Sequence, residues 1–222
     1  MKKLDIAIIG ATGLVGNLLL EKLAQSNDVQ SIKAITRKPL SKIPYKTENI
    51  VIDFNRMQEF AGELKADVFI CCLGTTIKAA GNQEAFHRVD FDYVVQFAKI
   101  AEQNHAKKFQ VVSAMGADAN SSVFYNRTKG EMERKLKELK IPEIEIFQPS
   151  LILGERKDKR AFEDIAQNIA PKLNFLFKGP LEKYRPIKAT DIAAAMAKTS
   201  LQSKAGHYTY KSNQIQELAS AK

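Results

Sequence analysis

The chain has 222 residues, 45% of them hydrophobic, and a net charge of +9. That length and apolar content fit one globular domain with a full core. The only cysteines, Cys71 and Cys72, are adjacent, and the three histidines are scattered. A disulfide framework and a zinc site are therefore excluded, and both thiols are expected in the core of a reduced compartment.

No run approaches the length of about eighteen apolar residues that a membrane span needs. Met1-Lys2-Lys3 followed by fifteen uncharged residues, Ile6 to Leu20, could pass for a secretion signal. Glycine periodicity and the lack of a small-residue cleavage site argue against one, so a cytoplasmic protein is expected. The charge is uneven: residues 1–154 carry +3 and the last 68 carry +6. Such a basic third attracts an anionic cofactor, an anionic substrate or a nucleic acid. Its basic residues lack interleaved aromatics, so nucleic acid is not an expected partner.

The apolar run Leu4 to Ile9 reads as a first buried strand, and Leu14, Leu18 and Leu19 then recur at helical spacing. Between them lies Gly10-Ala11-Thr12-Gly13-Leu14-Val15-Gly16. Glycines in a strand-to-helix turn permit the bend and let backbone N–H groups approach a pyrophosphate at the positive helix end. The pattern GxxGxxG departs from the usual dinucleotide fingerprint, so its context carries the assignment. The second strand, Ile32 to Thr36, ends where an NAD site would place an acid on the ribose 2′-OH. Arg37-Lys38 stand there instead and suit the 2′-phosphate of NADP, unless they are only a solvated turn.

Further apolar runs near 49–54, 66–73, 108–114 and 143–148 alternate with helical patterns near 14–26, 84–104 and 124–140. This alternation predicts a Rossmann-type, doubly wound parallel sheet with helices on both faces. Later segments near 160–170, 190–201 and 212–221 read as helices and 206–210 as a short strand. They are expected to form the sheet's far edge and a small substrate-side cap, with the whole of 1–222 one domain.

A second constellation is Tyr125-Asn126-Arg127-Thr128-Lys129, with Ser113 twelve residues upstream at the end of a strand. On a helix Tyr125 and Lys129 share a face. A nearby ammonium favours the phenolate, so the expected pKa of Tyr125 is below the ordinary value near 10. Such a tyrosine can protonate a carbonyl oxygen as hydride arrives, and Ser113 can hydrogen-bond that oxygen. Tyr184 and Lys188 repeat the spacing, but Pro186 breaks a helix between them and Lys172 stands where the serine would be.

With these residues in hand, the chain resembles the short-chain dehydrogenase/reductases, and within them the atypical, Tat-interactive-protein-like oxidoreductases. The resemblance runs through 10–16, Cys72 to Thr76, Phe86 to Val94, Gly116-Ala117-Asp118, Tyr125 to Glu131 and Pro149 to Arg156. It implies NADP(H) as cofactor, with the glycine turn on the pyrophosphate and Arg37 on the 2′-phosphate. By the same resemblance Asp53 lies near the adenine and Leu73, Gly74 and Thr75 line the cofactor. Pro149, Ser150 and Leu151 lie beside the nicotinamide, and Ser113, Tyr125 and Lys129 form the catalytic trio, Lys129 also reaching the ribose. Relatives often carry paired serines where this chain has Ser113-Ala114, and an arginine where it has Gln148. The first departure leaves the assisting serine open, and the second bears on substrate contact.

The expected function is an NADPH-dependent carbonyl reductase or alcohol dehydrogenase acting on a small molecule, as a monomer or homodimer. The alternative is an NADP(H)-sensing regulatory protein without turnover. A third reading, Cys72 as an acyl-transfer nucleophile, lacks an identifiable base. The substrate would be chosen by 155–188, whose nine basic and five acidic residues suggest a positive bias.

Overall fold

The structure, a computed structural model, describes residues 3–154 and 185–221. Strand β1 (Leu4–Ile9) leads through the glycine turn to α1 (Leu14–Gln25), and β2 (Val29–Thr36) and β3 (Thr47–Val51) follow. A 3₁₀ segment, Phe54–Phe60, precedes β4 (Val68–Cys71). The short helices α2 (Ile77–Ala80) and α3 (Gln83–His87) run into a π-turn at Arg88–Asp92 and then α4 (Tyr93–Gln103). Next come β5 (Lys108–Val112), α5 (Phe124–Lys137), β6 (Glu143–Gln148) and β7 (Ile152–Leu153). The described part ends with β8 (Ile187–Lys188), α6 (Ala189–Ser200), β9 (Gly206–Lys211) and α7 (Ser212–Ser220).

Seven strands form one sheet in the order β3-β2-β1-β4-β5-β6-β9, with every neighbouring pair parallel. The chain leaves β1 in one direction along the sheet and resumes at β4 in the other. Ligands of open α/β sheets bind beyond the carboxyl ends of strands at that reversal. The expected Rossmann-type architecture is therefore the observed one.

Alternation along each strand builds two cores. Ala7, Ile9, Phe69, Cys71, Phe109 and Val111 face one side, where Met57, Phe97 and Leu136 cover them. Ile6, Ile8, Val68 and Ile70 face the other, beneath Leu19, Leu23, Ile192 and Met196. Strands buried on both faces read as continuous apolar runs, which is why they were visible in the sequence.

Three expectations shift. The third strand ends at Val51 rather than 54, because Asp53 accepts from the Asn55 amide and caps the 3₁₀ segment. The long helix expected over 84–104 is present but widens into the π-turn in its second turn. The expected helix near 160–170, and most of the segment assigned to substrate choice, lie outside the described residues.

Candidate active site

The three glycines of the turn meet different demands. Gly10 adopts φ +84°, and a Cβ there would sit 2.5 Å from the Cys72 carbonyl carbon. A Cβ on Gly16 would fall 2.2 Å from the Gly10 oxygen, so these two let β1, β4 and α1 approach one another. Gly13 is the N-cap of α1 and contributes no side-chain cap. A Cβ there would meet only the Gly10 oxygen, at 3.3 Å. The first amides of α1 thus begin beside open space without a side-chain acceptor, which is what a pyrophosphate requires. The turn fits a dinucleotide.

That space belongs to a cavity of about 470 Å³ at the carboxyl ends of the strands. Gly13, Leu14 and Val15 line it from the turn after β1, and Cys72, Leu73, Gly74, Thr75 and Thr76 from the loop after β4. Val112 to Met115 close it beyond β5, and Pro149 to Gly154 beyond β6. The Ser113 amide donates to Phe147 O at 2.7 Å and the Met115 amide to Pro149 O at 2.9 Å, holding the last two loops in register. Tyr125, Lys129 and Asp90 complete the wall. The expected trio and the expected pyrophosphate and nicotinamide loops therefore meet in one place.

Helix α5 delivers Tyr125 and Lys129 one turn apart, as their spacing predicts. It packs tightly on the loop after β5: a Cβ on Gly130 would lie 2.1 Å from the Ala119 amide nitrogen. Tyr125 is half-buried, its ring 5.4 Å from that of Phe86. Lys129 is buried, and its Nζ pairs with Asp90 Oδ1 at 2.7 Å. The other Asp90 oxygen accepts the Thr75 amide at 2.9 Å. Asp90 thus ties the cofactor loop to the lysine, a role the sequence reading did not assign. Its aim comes from the π-turn, a distortion frequent at functional sites.

This pairing corrects one electrostatic expectation. Burial raises the Tyr125 phenol, Lys129 lowers it, and Asp90 raises it again, leaving it above the ordinary value rather than below. Burial pushes the Lys129 ammonium down, but Asp90 and Tyr125 pull it up further, so it stays charged. Tyr125 is accordingly a phenol at neutral pH.

Ser113 is buried and donates its hydroxyl to Glu133 Oε1 at 2.5 Å. Gln148 Nε2 donates to both Glu133 oxygens at 2.9 Å, so its amide contacts this carboxylate. Burial raises the Glu133 carboxyl above the usual carboxylate range, although Ser113, Gln148, Lys137 and Lys129 pull it down. The sequence reading missed Glu133. It lies four residues beyond Lys129 in the same helix, so extending the Tyr125–Lys129 spacing by one step finds it.

Arg37 and Lys38 are exposed beyond β2, with the Arg37 guanidinium 5.8 Å from the centre of the Phe54 ring. Asp53 is exposed at the end of β3 and Thr12 in the glycine turn. None of these four lines the cavity; Arg37, Lys38 and Asp53 sit along the same sheet edge, towards β3. Burial pushes the Cys71 thiol up to about 12 and raises Cys72 as well. Neither is an activated nucleophile. Lys188 lies in β8 rather than on a helix, and its spacing partner Tyr184 falls outside the described residues.

Residues 10–148 match the family described as NAD(P)H-binding. The rat protein HTATIP2 is 36% identical over 171 residues, covering 75% of this chain and 70% of that protein. The protein FMP52 of Candida albicans, named mitochondrial, is 32% identical over 195 residues, covering 83% of this chain and 82% of its own. Among solved structures, MoeE5 in complex with UDP-glucose and NAD shares the fold with a TM-score of 0.69 at 14% identity, over 95% of this chain and 79% of that one. FMP52 proteins of Debaryomyces hansenii and Emericella nidulans are also named mitochondrial. Those names overturn the expectation of a cytoplasmic protein, which rested on the lack of a convincing signal, of a membrane span and of a disulfide framework. No helix among the described residues is long and apolar enough to cross a membrane. The glycine turn, the parallel sheet and these matches agree: the chain belongs to the NAD(P)H-binding family, as an atypical short-chain dehydrogenase/reductase of the HTATIP2 kind.

Proposed function

We propose that the chain is an NADPH-dependent oxidoreductase that interconverts a carbonyl compound and its alcohol. One observation carries the reading: Tyr125, Lys129 and Ser113 open into the same cavity as the glycine turn that begins α1. The glycine turn would hold NADPH, which when bound would supply the hydride for the carbonyl carbon. As the carbon–oxygen π bond breaks, Tyr125 gives its phenolic proton to the oxygen, and the alcohol leaves. Burial keeps that proton in place at neutral pH. Lys129 stabilises the phenolate left behind, and Asp90 holds Lys129 in position. Arg37 and Lys38 favour the 2′-phosphate of NADPH by charge.

A second reading, an NADP(H) sensor without turnover, draws support from the Lys129–Asp90 pair. A lysine already matched by a buried carboxylate lowers the tyrosine pKa less than a free one. Loss of NADPH absorbance on a panel of aldehydes, ketones and quinones tests the first reading. Tight NADPH binding without turnover of any of them would favour the second.

A further inference from the structure

Ser113 can present either a proton or a lone pair to a ligand, and its neighbour decides which. A carbonyl oxygen only accepts hydrogen bonds, whereas an alcohol also donates. Glu133 takes the Ser113 proton at 2.5 Å, while Gln148 Nε2 lies 2.9 Å from each Glu133 oxygen and marks both as acceptors. The Ser113 proton is thereby turned away from the cavity, and its lone pairs are left for whatever lies there.

We propose that Glu133, acting through Ser113, makes this site hold a hydroxyl-bearing ligand in preference to the matching carbonyl compound. The inference rests on the proposed function, in which Ser113 opens into the cavity where the reacting oxygen would lie. Glu133 is a positioning residue, because it reaches the ligand only through Ser113. Ser113 approaches it from the end of β5 and Gln148 from the end of β6. The charges bearing on it are Lys129 and Lys137 of its own helix, and Asp90 lies beyond Lys129, paired with it. Protonation of Glu133 would let it donate to Ser113 and turn the serine proton toward the cavity. The preference for alcohol should therefore weaken as pH falls through the Glu133 titration, which burial places above the usual carboxylate range.

The test uses a rigid pair, 9-fluorenol and 9-fluorenone, bound in their two non-reacting ternary complexes, with NADPH and NADP⁺ respectively. The wild-type protein should bind the alcohol about five- to tenfold more tightly, as one hydrogen bond of ordinary strength gives. In Glu133→Gln the new amide can donate to Ser113, so the ratio should fall to unity or invert while NADPH affinity is kept. Ser113→Ala should remove the preference without inverting it, and serves if Glu133→Gln does not fold. Equal weakening of both ligands in Glu133→Gln, an unchanged ratio, or no binding of either to the wild type overturns the proposal. Turnover that survives in Tyr125→Phe would instead overturn the oxidoreductase mechanism and leave the binding preference standing.

Discussion

The Lys129 ammonium lies 2.7 Å from the Asp90 carboxylate, and neither side chain is more than 3% exposed. Thirty-nine positions separate them, so the pair joins α5 to the π-turn before α4 across the floor of the cavity. Removing one member of a buried pair strands the other's charge, typically at a cost of about 3–5 kcal/mol.

Asp90→Asn should therefore lower the thermal midpoint by many degrees. Without its partner Lys129 keeps the burial that pushes its pKa down and loses the pull that raised it. A depressed lysine pKa destabilises the fold at pH values below it, where the chain must carry a buried ammonium. The deficit should shrink as pH rises toward the lysine range. Thermal unfolding followed against pH checks this, and a deficit that grows with pH would contradict it.

Tyr125→Phe should lower turnover by about 10²- to 10⁴-fold, the usual worth of a general acid. NADPH affinity should be nearly unchanged, since the substitution removes one hydroxyl from the cavity wall. In the wild type the phenol sits above its ordinary pKa, so reduction should keep its acid through neutral pH. Alcohol oxidation, which needs the phenolate, should still be rising at about pH 10. Steady-state rates across pH test both arms.

Arg37→Asp should weaken or reverse a preference for NADPH over NADH. A charged hydrogen bond to phosphate contributes about 1.5–3 kcal/mol, so at least a tenfold change in the affinity ratio is expected. Titration calorimetry with both cofactors reads it. Equal or tighter NADH binding by the wild type would end the NADP assignment.

Gly16→Ala and Gly13→Ala should fail differently. The first puts a methyl 2.2 Å from the Gly10 oxygen, within the packing of β1 against α1, and should cost stability and cofactor binding together. The second meets protein only at 3.3 Å and should spare the fold while weakening the cofactor. Paired thermal melts and NADPH titrations separate the two, and a Gly13→Ala protein as unstable as Gly16→Ala would contradict the assignment.

What could be read in advance follows from how far apart the partners lie. The inner strands β1, β4, β5 and β6 announced themselves because both faces are buried, and Tyr125 with Lys129 because helical spacing is local. The end of the third strand escaped because a single cap residue, Asp53, outweighs the apolar run of 49–54 that continues the strand in sequence. Asp90 escaped because its partners, Thr75 and Lys129, come from different elements. Glu133 was half legible: its stripe with Lys129 was visible, but Ser113 and Gln148 reach it only once β5 and β6 pair.

The widened turn at Arg88–Asp92 makes chain length itself a control on the site. It accommodates a residue more than a regular turn would hold. Deleting one residue between Arg88 and Asp92 would let Gln83 to Gln103 run as an ordinary helix, with its core face still able to pack. Yet each residue turns an α-helix by about 100°, so the carboxylate would swing out of line with Lys129. A shortened protein of this kind would keep its topology but lose the tether between cofactor loop and lysine, and would leave the Lys129 charge buried without its partner.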